Sequence, residues 1–392
     1  MIRNKKIAIT IYLISIMQMS AMAMSSALSS ISEAFPYAGD TTVQMVMSLP
    51  ALFMGIASLI SGKLSERIPK KWLITASAVL IIGGAFGGLL IHGNIYILLV
   101  WAAVLGFGMG LFVPINAGLI ALFFSGHERE IVSGQQVTAS TIGGVCLSMI
   151  AGFLCETGWS RVYLIFFAII PGWICSQFFL PRESISSLKA EAEATDNGGK
   201  AHISRGSWVF IIVMFLFISM YNIIPNNLSM YITEKSLGGS AEAGTATALF
   251  LLGGAFSGII YGYIAKYLRD MIITLSFALL IAAGGILFLT ANLGVLYVTV
   301  VFAGFSVGFV MAQCTCRIAE IESRAGVTLA MSVMLAFNCL GQCIAPLFTK
   351  LSSAVFHTDA CVYRFLLVII LGTVFMVISI IMMKSVKEKN VN

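Results

Sequence analysis

The stretch 62–74 reads Gly62-Lys63-Leu64-Ser65-Glu66-Arg67-Ile68-Pro69-Lys70-Lys71-Trp72-Leu73-Ile74 and separates two long apolar runs. It carries five charged residues, four of them basic, in a chain in which charged residues make up only 10%. Irregular backbone exposed to lipid leaves polar groups without partners, so a turn of this kind must lie at a membrane face. Its excess of basic residues predicts that this face is cytoplasmic.

The composition of the whole chain supports a membrane protein. Hydrophobic residues make up 59% of it and the mean hydropathy is +0.97. Soluble domains are closer to half apolar and a quarter charged, so a soluble fold could not cover this much apolar surface. A helix needs about 20 apolar residues to cross the hydrocarbon, which leaves room for about twelve helices.

Apolar runs fall into two sets of six, which predicts an all-α membrane protein with twelve transmembrane helices. The runs cover residues 7–31, 42–62, 72–91, 95–123, 131–154 and 161–180, then 207–231, 243–265, 271–291, 294–316, 326–349 and 361–383. The polar stretch Pro181 to Gly206 separates the sets. We therefore expect a six-helix bundle over 1–180, a cytoplasmic linker over 181–206 and a second bundle over 207–392.

The distribution of basic residues predicts the topology. With twelve helices, 19 of the 23 Lys and Arg residues fall on one side of the membrane, which predicts that both termini are cytoplasmic. Arg3, Lys5 and Lys6 precede an apolar run of about 25 residues, which is long for a signal peptide. We interpret that run as the first membrane helix.

Matching glycine patterns indicate that the two halves are related. The segment Gly106-Phe107-Gly108-Met109-Gly110-Leu111 is echoed 198 residues later by Gly304-Phe305-Ser306-Val307-Gly308-Phe309. Gly143 and Gly341 repeat at the same offset. A shared offset indicates two parallel halves related by an axis along the membrane normal.

The stretch 62–74 also resembles the signature between helices 2 and 3 of the major facilitator superfamily, Gly-x-Leu-x-Asp-Arg-x-Gly-Arg-Lys. The matching positions are Gly62, Leu64, Arg67, Lys70 and Lys71, with Glu66 in place of Asp and Pro69 in place of the second Gly. The resemblance implies a secondary transporter that works by alternating access. It also implies a cytoplasmic latch between the halves, formed here by Gly62, Glu66, Arg67, Arg129 and Arg324. The alternative for these residues is a solvated loop that only sets the topology.

Uncharged polar side chains at mid-depth are the candidates for substrate contact. In the superfamily, helices 1, 4, 7 and 10 line a central cavity and helices 5 and 11 contribute to it. The resemblance therefore places six amides at the cavity: Gln18, Asn116, Gln136, Asn222, Gln313 and Asn338. The simpler alternative is that these amides only form hydrogen bonds between helices, because an unsatisfied amide in hydrocarbon is costly.

The predicted helices carry no charged residue near their centres, where one would cost about 2.5–3.5 kcal/mol. This pattern favours a neutral or amphipathic substrate. Four Met residues in the first helix (Met17, Met19, Met22 and Met24) are consistent with an adaptable binding surface. Ala102 stands where the superfamily carries an Arg, and the Gly-Pro signature of drug/proton antiporters is missing from helix 5. A coupling proton would have to use Glu33 or Glu156.

Other classes of function lack their motifs. We find no nucleotide-binding loop, no metal-ligand cluster among eight Cys and four His, and no Ser-His-Asp set. The basic residues form no continuous stripe for nucleic acid. We therefore expect no enzyme and no cofactor, and a monomer whose partners are a small-molecule substrate and the bilayer.

Export of a small organic compound across a bacterial inner membrane is the leading hypothesis. One alternative is uptake or facilitated diffusion of a neutral metabolite. An alternative of another class is a membrane sensor or lipid-handling protein, but the linker and tails are too short for an output domain.

Overall fold

The computed structural model describes residues 5–64, 68–124, 126–180, 203–268, 271–322 and 324–391. These residues form twelve helices long and apolar enough to cross a membrane, which confirms the predicted number. We number them α1 (Lys5–Ala34), α2 (Asp40–Leu64), α3 (Lys70–Leu90), α4 (Ile95–Phe123), α5 (Gly126–Thr157), α6 (Trp159–Phe179), α7 (Arg205–Glu234), α8 (Ser240–Leu268), α9 (Met271–Leu289), α10 (Leu293–Ile321), α11 (Arg324–Phe356) and α12 (Cys361–Val391).

Two helices of the first half change their winding, which the apolar runs did not predict. Within α1, 3₁₀ turns at Ile16–Met19 and Met24–Ala27 interrupt the α-helical segments. The hydroxyls of Ser15, Ser20 and Ser26 each donate to a carbonyl three or four residues earlier. Such bonds compete with the helix ladder and favour local bending. The first half of α6 is likewise 3₁₀, over Trp159–Ala168.

A break divides α7 into Arg205–Tyr221 and Ile223–Glu234. The amide N–H groups of Asn222 and Asn226 still reach the carbonyls four residues earlier, at 3.2 and 3.1 Å. Pro225 has no N–H to donate to the Tyr221 carbonyl. The break therefore follows from one missing backbone hydrogen bond, and Asn222 lies at its centre.

Equivalent caps begin the fourth helix of each half. The Asn94 side chain accepts from the amide of Tyr96 at 3.0 Å at the start of α4. The Asn292 side chain accepts from the amides of Gly294 and Val295 at 2.9 and 3.2 Å at the start of α10. Asn is among the favoured N-cap residues because its side chain satisfies an otherwise unpaired N–H. The two caps lie 198 residues apart, at the offset of the glycine repeat.

The contacts divide the chain into two compact units, Met1–Gly198 and Gly199–Asn392. In the first unit α4 packs on α2, and a Cβ at Gly106 would overlap the Pro50 carbonyl. In the second unit α10 packs on α8, and a Cβ at Gly304 would overlap the Phe250 carbonyl. Small residues allow helix backbones to approach closely in membranes, and both units use them at the same crossing.

The proposed latch falls largely outside this description. Glu66 and Arg67 lie outside the described residues, and so does most of the predicted linker. Gly62, Arg129 and Arg324 lie in helices where the structure describes only the backbone at those positions.

Candidate functional site

Two of the predicted cavity amides meet in the first unit. Gln18 lies in the first 3₁₀ turn of α1, and its Oε1 accepts a hydrogen bond of 3.1 Å from Nε2 of Gln136 on α5. Both side chains are only half-buried. The two helices approach closely because Gly143 of α5 faces the backbone of Ile16, where a Cβ would come within 2.7 Å of the Ile16 Cα.

A second polar contact in this unit joins α1 to α4. Nδ2 of Asn116 donates to Oγ of Ser15 at 2.8 Å, and the Ser15 hydroxyl donates onward to the Ile11 carbonyl at 2.7 Å. Asn116 is buried. Because Asn116 is buried between these helices, the geometry first supports a structural role for it.

A third contact was not expected from the sequence. The Tyr12 hydroxyl donates to Oε1 of Gln135, next to the Gln18–Gln136 pair. Tyr12 and Ser15 are three residues apart on α1, as are Ser15 and Gln18, and this i,i+3 spacing could have suggested that each pair shares a side of the helix. Together, Tyr12, Ser15 and Gln18 connect α1 to α4 and α5 through uncharged polar groups.

The first unit also contains a small apolar cavity of about 10 Å³, lined in part by Met24, Pro50, Met109 and Tyr163. This volume suits about one water molecule, so it is too small for an organic substrate. Met17 and Met24 are buried, whereas Met19 and Met22 are half-buried. Only the latter pair retains the exposure that a Met-rich binding surface needs.

In the second unit the α7 break carries a predicted site residue. Asn222 is buried, and its Nδ2 donates to the carbonyl of Ile218 on the same helix at 2.9 Å. Irregular backbone at membrane depth is tolerated where protein or a cavity satisfies it. Discontinuous helices also form substrate sites in secondary transporters. Asn222 therefore lies at a position where a binding residue is expected.

The remaining predicted amides of this unit form two separate contacts. The Tyr261 hydroxyl of α8 donates to Oε1 of Gln313 on α10 at 2.8 Å. On α11, Nε2 of Gln342 donates to Oδ1 of Asn338 at 2.6 Å, and Nδ2 of Asn338 lies 3.7 Å from the Met311 sulfur. Gln313 and Asn338 are both buried. The sequence did not indicate Tyr261, which sits among apolar residues.

Arg364 is a fully buried cation that the sequence analysis did not single out. It lies in the first turn of α12 and is 1% exposed. Its guanidinium donates to Oδ1 of Asn227 on α7 at 2.7 Å and to the Asp359 carbonyl at 2.8 Å. Near it, Glu234 of α7 accepts from the Cys361 amide at 2.8 Å. These contacts fasten the end of α7 to the start of α12.

The other charged residues of the helices also lie near helix ends. Every Asp, Glu, Lys and Arg in the twelve helices lies within about two turns of one end. The central turns present only apolar groups, hydroxyls and amides. Both units therefore offer neutral hydrogen-bonding groups to whatever enters the membrane plane.

Comparison with solved structures defines the class of protein as a membrane transporter fold. A bacterial homologue of the human lysosomal transporter Spinster, in its inward-facing occupied conformation, aligns with 98% of this chain and 96% of its own, at a TM-score of 0.72 and 15% identity. The nucleoside transporter NupG aligns with 96% of this chain and 99% of its own, at a TM-score of 0.75 and 10% identity. A POT family transporter in complex with a thioalcohol-conjugated peptide aligns with 97% of this chain and 96% of its own, at a TM-score of 0.73 and 15% identity.

The family follows from the sequence itself. The family model described as Major Facilitator Superfamily matches residues 8–240 and 209–391. The chain belongs to this superfamily, which confirms the resemblance of the stretch 62–74. No curated protein matches the chain.

Proposed function

We propose that this protein is a secondary transporter that exports a small neutral or amphipathic organic compound across a bacterial inner membrane by alternating access. The moving halves would be residues 1–180 and 207–392, joined by the linker 181–206, with both termini in the cytoplasm. The observation that carries the proposal is the hydrogen bond between the mid-depth amides of Gln18 and Gln136, in helices without central charges.

The cost of desolvation limits which substrates such helices can accept. A charged substrate leaving water needs a counter-charge, because a buried unpaired charge is far more costly than a buried amide. The central turns of these helices offer none. A neutral solute with a few polar groups can exchange its water for the amides of Gln18, Asn116, Gln136, Asn222, Gln313 and Asn338. The name of one similar protein, the nucleoside transporter NupG, is consistent with this substrate class.

The latch remains part of this proposal. Glu66 and Arg67, following Gly62, would hold the cytoplasmic ends of the halves together with Arg129 or Arg324 in one state and release them in the other. Uptake or facilitated diffusion is the second candidate, and the absence of central acids favours it. Glu33 and Glu156, which are exposed carboxylates at helix ends, are the groups that a coupling proton would use.

A thermal-shift screen of purified protein against metabolites and drug-like compounds tests the substrate class. A ligand that binds only the folded state adds RT ln(1 + [L]/Kd) to stability. We expect neutral compounds to raise the unfolding temperature, and the rise to be lost in Gln18→Ala and Asn222→Ala.

Thr138→Ala is the matched control for that screen, because the Thr138 hydroxyl donates to the Gly134 carbonyl of its own helix on an exposed face of α5. It should keep the full shift. Shifts that survive in Gln18→Ala and Asn222→Ala would refute the site. A screen in which only charged compounds stabilise the protein would refute the substrate class.

A further inference from the structure

Two lysines meet the last turn of α6 where α1 and α3 begin. The Lys6 ammonium of α1 lies 5.7 Å from the ring centroid of Phe179. The Lys71 ammonium of α3 donates to the carbonyl of Gln177. Both lysines therefore contact the last turn of α6, at Phe179 and at Gln177, although they come from helices far apart in sequence.

The geometry at Lys71 is fixed by its surroundings. The last carbonyls of a helix have no partner within the helix and lie at the negative end of its dipole, so the Gln177 carbonyl is a strong acceptor. The Gln177 side chain donates to Oγ1 of Thr75 on α3 at 2.8 Å, which ties the same two helices together. An ammonium group has three donors. The Gln177 carbonyl takes only one of them.

The electrostatic surroundings favour an anion. The sequences of α3 and α6 contain no acidic residue, and the only one in α1, Glu33, lies at its other end. Lys5, next to Lys6, is also exposed. The positive end of α3 lies here as well, because this helix starts at Lys70 after Pro69, which provides no side-chain cap.

Large aromatic side chains border the lysines on the outer surface. Trp72 is 68% exposed and Phe178 is 79% exposed. Exposed aromatic rings next to lysines at the end of membrane helices are typical of the interface between headgroups and acyl chains. The exposed residues at this end of α3 and α6 therefore have the composition of a lipid interface.

We propose that Lys6 and Lys71, at the ends of α1, α3 and α6, bind the phosphate of an anionic phospholipid. The phosphate oxygens accept from the two ammonium groups, and the acyl chains lie along the face that carries Trp72 and Phe178. Each lysine that faces an anionic headgroup should strengthen binding about fivefold.

Native mass spectrometry of the full-length protein tests this proposal. The detergent-solubilised protein is incubated with equal amounts of phosphatidylglycerol and phosphatidylcholine, and the bound lipid is counted. We expect preferential phosphatidylglycerol binding that falls about fivefold in Lys6→Gln and in Lys71→Gln, with phosphatidylcholine binding unchanged.

Lys266→Gln is the matched control, because Lys266 is also exposed and lies 5.9 Å from the ring of Tyr267. An equal loss of phosphatidylglycerol binding in all three variants would show a diffuse charge effect and overturn the site. Unchanged phosphatidylglycerol binding in Lys6→Gln would also overturn it. Displacement of the lipid from wild-type protein by millimolar inorganic phosphate would overturn the lipid assignment in favour of a soluble anion. Unfolding temperatures in phosphatidylcholine monitor folding. Within the part of the chain that the structure describes, the Lys6 ammonium makes no backbone hydrogen bond, so Lys6→Gln stays decisive if Lys71→Gln misfolds.

Discussion

Gly106 shows what a single position contributes, because its missing side chain lets α4 meet the backbone of α2. A Cβ there would overlap the carbonyl of Pro50, and backbone cannot move aside as a flexible side chain can. Overpacking of this kind typically costs about 1–3 kcal/mol.

We therefore expect Gly106→Ala to lower stability by about 1–3 kcal/mol, measured by thermal unfolding in detergent. Gly83→Ala in α3 is the control, since no atom lies within 4 Å of a Cβ at that position, and it should be neutral or slightly stabilising. Equal behaviour of the two variants would contradict the close α2–α4 crossing.

Arg364 is a buried polar residue whose hydrogen bonds should stabilise the second unit. Replacing it with Met would leave Oδ1 of Asn227 and the Asp359 carbonyl without this donor inside the second unit. Buried partners left unsatisfied are destabilising, and we expect a loss of about 3 kcal/mol.

Denaturation of Arg364→Met beside Arg161→Met measures this effect. Arg161 lies exposed at the start of α6, so its replacement should change stability by less than about 0.5 kcal/mol. A stable Arg364→Met variant would mean that the guanidinium contacts contribute nothing to the joint between α7 and α12.

Among the helices, α7 carries the most consequential departure from regular structure. Pro225→Ala would restore an N–H that can reach the Tyr221 carbonyl and would close the break at Asn222. A net gain of about 1 kcal/mol is expected for one added hydrogen bond. The straightened helix should also transport more slowly, because the break presents Asn222.

Pro171→Ala in α6 is the comparison for that variant. Pro171 likewise occupies the third residue of a helical segment, Ile169–Phe179, but α6 contains none of the proposed site residues. We expect its transport rate to match wild type. If Pro225→Ala gains stability and transports at the wild-type rate, the break has no role in transport.

The sequence predicted the helices better than their internal shape. Twelve apolar runs were sufficient because each is bounded by polar turns, and a hydrocarbon layer admits few other structures. The structured ends extend further: α10 runs to Ile321, although its apolar run ends at residue 316, since backbone hydrogen bonding continues beyond the hydrocarbon. The 3₁₀ turns of α1 depend on which backbone carbonyls accept hydrogen bonds from the Ser15 and Ser20 hydroxyls. The hydrophobic periodicity of the sequence does not show this.

The candidate site was predictable in its residue types but not in its pairs. Gln18 and Gln136 were selected because the family resemblance places these mid-depth amides at the central cavity. That they partner each other depends on the depth and rotation of α1 against α5, which follow from the packing of Gly143 on Ile16. Arg364 was missed because a basic residue near a predicted helix end normally extends to water.

For the whole molecule, the topology is the most accessible test. In a background with its eight native cysteines replaced, Lys5→Cys and Gly39→Cys place single thiols at opposite ends of α1. We expect a membrane-impermeant reagent to label Gly39→Cys in intact cells and Lys5→Cys only after permeabilisation. The reverse pattern would contradict cytoplasmic termini.

Transport by the reconstituted protein tests the central claim most directly. Proteoliposomes containing wild type, Gln136→Ala or Thr138→Ala are loaded with a radiolabelled neutral compound identified by thermal shift, and its release is followed with and without an imposed proton gradient. We predict saturable release by wild type and Thr138→Ala, reduced at least tenfold in Gln136→Ala, with acceleration by the gradient marking coupled export. Release no faster than from empty liposomes, or equal release by all three proteins, would contradict transport through this amide site.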